Sequence, residues 1–181
     1  FSIRRYIDDM YVANSFTKLA FKKDLPDIIL VSMPSIEITS SVTEYARRNK
    51  VPVYVEIRDL WPDIFLDVTP LLFKPFVFFL NFFFDYKLKK SLKNADGVIG
   101  ITETYLNWAL KKINRRKSQK DTVIQMGYKK IKSNDHLDAI QMKTIIKKFS
   151  FLSNFQLVTT FVGTLGKTND LETILEAAKV L

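Results

Sequence analysis

The chain has 181 residues and a formal net charge of +9, from 28 Lys and Arg against 19 Asp and Glu. With 47% apolar residues it can bury a core, and its length allows one full domain or parts of two. The absence of cysteine excludes disulfides, thiolate chemistry and zinc–cysteine sites and fits a reducing compartment, while the positive charge points to an anionic partner.

Apolar residues from Ile3 to Phe21 recur at roughly helical spacing, with a slip near Asn14 and Ser15. The stretch carries several charges and no small-residue ending, so it does not read as a signal peptide. Ile28 to Val31 is a short apolar run of the kind buried on both faces of a parallel sheet, ended by Ser32-Met33-Pro34-Ser35. A helix is expected over Ile36–Asn49, closed by Arg47, Arg48 and Lys50 at the end that favours positive charge. Val53, Val55 and Ile57 then alternate as a strand, with Pro52 at its start.

That strand runs into Glu56-Ile57-Arg58-Asp59-Leu60-Trp61-Pro62, and Pro62 forces a turn by disfavouring helical geometry at Trp61. Ligands bind outside the carboxyl ends of strands in open parallel sheets, which is where Glu56, Arg58 and Asp59 fall. Two readings stand: a binding or catalytic edge, or a strand-end ion pair with a tryptophan packed beneath it.

Residues 71–84 hold seven phenylalanines, interrupted by Lys74, Pro75 and Asn81. A spanning helix needs about 20 apolar residues, and this run is too short and too broken. With Pro75 at the first helical position, Asn81, Asp85 and Lys89 line one side and the other faces are apolar. The helix ends in Lys87, Lys89, Lys90 and Lys93. It suits either burial against the sheet or a bilayer interface, where Phe76, Phe79 and Phe83 would meet acyl chains and Lys87 and Lys90 the headgroups.

Asp96-Gly97 turns the chain into a strand over Val98–Ile101, and Thr102 caps a helix reaching about Lys112. The basic run from Lys111 to Lys117 includes Arg115 and Arg116. It is either a solvated loop or a contact with an anionic membrane, at about 1 kcal/mol per basic residue near the headgroups. Nucleic acid is not expected as a partner, because there is no basic recognition helix and the phenylalanines are not interleaved with the basic residues. A further strand is expected over Thr122–Met126, ended by Gly127, and a helix over Ile140–Phe149. The single histidine, His136, reads as structural or solvent-exposed, and nothing has metal-ligand spacing. Leu157–Val162 reads as a strand before Gly163-Thr164-Leu165-Gly166-Lys167-Thr168 and a helix over Leu171–Val180. Strand, glycine loop and helix together offer backbone N–H groups to a phosphate. Phe161 stands where a Walker A loop needs its first glycine, so this is not a P-loop NTPase.

The order of these pieces resembles the family 4 glycosyltransferases of the GT-B fold, in particular those that build bacterial capsule and O-antigen sugars on lipid carriers. The resemblance rests on Pro26-Asp27-Ile28-Ile29 with Ser32-Met33-Pro34, and above all on Val55-Glu56-Ile57-Arg58-Asp59-Leu60-Trp61-Pro62. Ala95-Asp96-Gly97-Val98-Ile99, Val123-Ile124 with Gly127, Phe161 to Gly166 and Leu175-Glu176-Ala177-Ala178 complete it.

It implies an α/β architecture: a Rossmann-like parallel sheet in an N-terminally incomplete acceptor domain over 1–128, a linker and helix over 129–155, and the start of a second Rossmann-like, nucleotide-sugar-binding domain over 156–181. The family's first strand and glycine loop would lie before Phe1 and its paired glutamates beyond Leu181, and the piece alone is expected to be inactive. The implied activity is sugar transfer from a nucleotide-sugar donor to a lipid-linked acceptor, with no cofactor and no metal. The implied location is cytoplasmic, peripheral on the inner face of the cell membrane.

Asp59 would be the catalytic residue at the acceptor hydroxyl, and Glu56, Arg58, Trp61 and Ser32 would bind acceptor. Gly163, Thr164, Gly166 and Lys167 would hold the donor phosphates. The family often has His-Asp where Arg58-Asp59 stands, an arginine after the loop glycine where Thr164 stands, and a Lys-Gly pair where Asn169-Asp170 stands. Its Pro-Asn-Gly hinge is Gln125-Met126-Gly127 here. Two other readings remain: a non-catalytic membrane-docking subunit that pairs with a donor-binding chain, and a GT-B nucleotide-sugar epimerase.

Overall fold

A computed structural model describes residues 3–127, 139–154, 158, 160–163 and 170–180. The chain divides into two compact units, Phe1–Tyr128 and Lys129–Leu181.

In the first unit, α1 (Ile3–Ala20) precedes β1 (Ile29–Ser32), α2 (Ile36–Asn49) and β2 (Val53–Ile57). A short α3 (Ile64–Val68) and a 3-10 turn at Leu71–Phe73 lead into α4 (Lys74–Asn94). Then come β3 (Gly97–Gly100), α5 (Glu103–Lys112) and β4 (Thr122–Val123). Local chemistry sets several of these bounds. The Ser35 hydroxyl accepts from the Ile38 N–H at the start of α2, and the Thr102 hydroxyl accepts from the Tyr105 N–H at the start of α5. Lys50 ends α2 in the left-handed conformation, its N–H turned back to the last carbonyls of the helix. The spacing slip near Asn14 does not break α1, which is continuous.

The four strands are parallel and their order in space is their order in the chain, β1-β2-β3-β4. Right-handed crossovers that all step in one direction put every connecting helix on the same side of a sheet. The packing agrees: α1 lies on α2, α2 on α4, and the core joins Val31, Val55, Ile57 and Val98 to Leu88, Leu92, Leu106 and Leu110. Register places Leu30, Ser32, Tyr54, Glu56 and Ile99 together on the opposite face. Leu30 is 61% exposed there, so β1 is covered on one face and not on both as its apolar run suggests. The architecture is a mixed α/β unit with a parallel sheet, compatible with a Rossmann-like fold and wound on one side.

β4 is shorter than the expected Thr122–Met126. Its ladder with β3 ends at Val123, one further bond runs from the Ile124 N–H to the Gly100 carbonyl, and Ile124 and Met126 are exposed. In the second unit, α6 (Ala139–Lys148) and α7 (Leu171–Val180) are helices as expected. Residues 158 and 160–162 are not in a strand, so the strand expected over Leu157–Val162 is not formed at its described positions. Val162 is 90% exposed and no described residue of α7 is buried, so the described residues offer no buried face for such a strand to join.

Candidate functional site

The carboxyl ends of β1 and β2 bring together two of the residues named from sequence. Ser32 and Glu56 are register partners on the helix-free face, and the Ser32 hydroxyl donates to the Glu56 carboxylate. The Met33 N–H donates to the Glu56 carbonyl at 2.9 Å, fixing the two strand ends side by side. Glu56 is half-buried and Ser32 exposed, so the pair borders solvent.

Arg58 and Asp59 follow without a break. They do not form a strand-end ion pair: among the described residues neither has a charged side-chain partner. Asp59 instead accepts from the adjacent Leu60 N–H at 2.8 Å, which orients the carboxylate and leaves its second oxygen available. Arg58 is exposed, and among the described residues its guanidinium reaches only the thioether of Met126, at 3.9 Å. It is a cation at a strand end, and among the described residues most of its hydrogen-bonding capacity is unspent.

Trp61 is on the other side of the sheet from Ser32 and Glu56. It packs against the core, its ring 4.6 Å from that of Phe65 and 5.5 Å below the Arg5 guanidinium. The Trp61-Pro62 peptide is cis. The buried Pro62 carbonyl accepts from the Asn81 side chain at 3.0 Å. Trp61 is therefore packed between α1 and α3 and only partly exposed.

Sequence reasoning passed over a polar cluster that holds this corner. Lys112 on α5 donates to Asp63 and to Asp85, each at 2.6 Å, and the Trp108 indole N–H donates to Asp63 at 2.9 Å. Burial works against the charge on Lys112, but the two carboxylates outweigh it and hold its pKa above the ordinary lysine value. Asp85 is likewise penalised by burial yet pulled below its ordinary value by Lys112 and Lys89. The signal that could have found the cluster is the Asn81, Asp85, Lys89 line on α4, which turns toward the domain at its first two members.

Of the residues named for a membrane contact, Phe76, Phe79 and Phe83 are exposed. Lys87 pairs with the buried Glu37 at 3.1 Å, and Lys90 stands 3.7 Å from Glu44. Arg47 and Arg48 bond to that Glu44 and hold its pKa at about 2. Arg115 is turned inward to the buried Asp121, while Arg116 is exposed. A cleft of about 250 Å³ opens between α1, α2 and α4, bordered by Thr17, Ser40, Ser41 and Glu44. It lies away from the strand ends, and its one carboxylate is already committed to arginines.

Gly163 is exposed and described, whereas Thr164, Gly166 and Lys167 lie outside the described residues, as does His136. Among the described residues no group of three or more His, Asp or Glu side chains is placed to hold a metal ion. None of the described helices is long and apolar enough to cross a membrane. No protein-family model, curated protein or solved structure matches the chain.

Proposed function

We propose that the chain is part of a glycosyltransferase that moves a sugar from a nucleotide-sugar donor to a lipid-linked acceptor at an anionic membrane surface. The observation that carries the reading is the carboxyl edge of β1 and β2. Ser32 and Glu56 are joined there, and Arg58 and Asp59, which have no charged partner among the described residues, follow directly. Carbohydrate hydroxyls and phosphates are met by this mixture of hydroxyl, carboxylate and guanidinium groups.

In the reaction the acceptor oxygen bonds to the anomeric carbon of the donor sugar as the bond from that carbon to the nucleotide diphosphate breaks. The acceptor hydroxyl loses its proton, and Asp59 either takes it or holds the hydroxyl in line. Arg58 holds an acceptor phosphate, and Ser32 with Glu56 meets acceptor hydroxyls. The backbone around Gly163 serves the donor diphosphate, with Lys167 as the nearby cation in sequence. No cofactor and no metal enter this scheme. The outward aromatic face of α4 supports a position at the inner face of the cell membrane, where lipid-linked acceptors are presented.

The second reading, a non-catalytic membrane-docking subunit, is favoured by Thr164 and Asn169-Asp170 in the loop after Gly163, where the resemblance calls for basic residues. One experiment separates the two. Membranes from cells expressing the full-length protein that contains this chain are given radiolabelled UDP- and GDP-sugars, and label is followed into the lipid-extractable fraction. Transfer by wild type that is lost in Asp59→Ala supports the transferase. No transfer from any donor, or transfer undiminished by Asp59→Ala, overturns it.

A further inference from the structure

We propose that α4 enters an anionic bilayer steeply, with its N-terminal half and the Leu71–Phe73 turn passing through about one leaflet, instead of lying flat in the interface. The inference rests on the membrane part of the proposed function and not on sugar transfer.

The first half of the helix is inside out, whereas Leu88 and Leu92 in its second half are buried in the core. The polar Asn81 faces the domain, and Asp85 points to Lys112 on α5. The opposite side of its first half is aromatic and open, with Phe78, Phe79 and Phe82 each more than 60% exposed. At 3.6 residues per turn, the exposed apolar residues from Phe76 to Tyr86 cover roughly 200° of the circumference. A helix that packs on a neighbouring protein surface needs a stripe of about 100°. An apolar surface twice that wide is matched by a solvent that surrounds it. Leu71 and Leu72, at the tip before the helix, are each more than 80% exposed.

Charge is ordered along the axis and not around it. From Thr69 to Phe84 there is no acidic residue and one basic residue, Lys74. Lysines then occupy four of the next nine positions, and Lys93 carries its ammonium on the exposed surface. Phe76 to Tyr86 spans about 15 Å at 1.5 Å per residue, half of a hydrocarbon core about 30 Å thick. Aromatic residues at acyl depth followed by lysines at headgroup level is the order met on leaving a bilayer along its normal. A flat helix would need the lysines flanking the aromatics around the circumference, and they follow them along it.

Phe76, Phe83 and Lys90 give the test, because seven-residue steps leave them pointing within about 40° of one another. The chain has no cysteine, so Phe76→Cys, Phe83→Cys and Lys90→Cys each accept a single nitroxide label. All three sites are exposed, and unchanged circular dichroism checks that the fold is kept. With vesicles of equal parts phosphatidylglycerol and phosphatidylcholine, power saturation against oxygen and a nickel chelate reads the depth of each label. A steady loss of depth from Phe76 through Phe83 to the headgroup level at Lys90 is expected. Phe79→Ser with Phe83→Ser should lower partitioning about tenfold or more. Equal depth at the three sites overturns the steep insertion and leaves the membrane contact standing. Absence of vesicle binding overturns both, as does spin–spin broadening without lipid, which would make a second copy the occupant of the face.

Discussion

The side-chain amide of Asn81 on α4 donates to the carbonyl of Pro62 at 3.0 Å, and neither residue is open to solvent. This bond ties the turn after β2 to the helix whose aromatic residues face outward. It sets both the corner beside Asp59 and the direction in which α4 leaves the domain.

Asn81→Leu removes the donor and strands a buried carbonyl, at a cost of about 1–3 kcal/mol. Urea unfolding followed by tryptophan fluorescence should give a lower midpoint with an unchanged slope. An unaltered midpoint would mean that water or another donor serves Pro62 as well as Asn81 does.

Asp121 makes an acid-sensitive clasp. Its carboxylate accepts from the Val98 N–H at 2.9 Å, from the Ser118 N–H at 2.8 Å and hydroxyl at 2.7 Å, and from Arg115. Burial works to raise its pKa, but these bonds outweigh it and hold the value below the ordinary 3.8. A depressed carboxylate stabilises the fold above its unfolded-state pKa, and that contribution is lost as pH falls through the lower native value. Stability should therefore drop between about pH 5 and pH 2, and the same limb should be shallower in Asp121→Asn. At neutral pH the variant should already be less stable by at least about 1 kcal/mol. Parallel acid limbs for the two proteins would assign the titration elsewhere.

Gly100 is where α5 comes down on the sheet. A Cβ there would stand 2.6 Å from the Leu106 backbone nitrogen and 2.7 Å from the Thr102 carbonyl oxygen, and backbone cannot swing aside as a side chain can. Gly100→Ala should cost about 1–3 kcal/mol through displacement of the α5 start. Thermal unfolding reads the loss, and an unchanged midpoint would mean that the helix shifts without strain.

Local signals carried most of the first unit. Thr102 announces its helix because capping is a contact within one turn, and α2 and α7 run over the expected residues, although the Ser35 cap of α2 was not read as one. The alternation of Val53, Val55 and Ile57 gives a strand with those three buried. What escaped is what depends on the order of strands. An apolar run such as Ile28 to Val31 reports hydrophobicity on both faces, but only the topology decides whether a helix lies over each. The polar line on α4 was legible as a line, and the partners that turn it inward, Pro62 and Lys112, lie 19 and 27 residues away from their contacts. At the candidate site, the strand-end position of Glu56 and Asp59 was readable from the pattern. The bond from Ser32 to Glu56 joins residues 24 apart and needs the register of β1 on β2.

The strand order has a consequence for how the chain comes off the ribosome. β2 finds β1 already made, β3 finds β2, and β4 finds β3, so no described strand must be threaded between two that are already paired. Each step closes a loop of one helix and its connections, which keeps the separation between contacting residues short and favours rapid folding. The sheet can thus grow in one direction at the pace of synthesis, with the newest strand always at its growing edge.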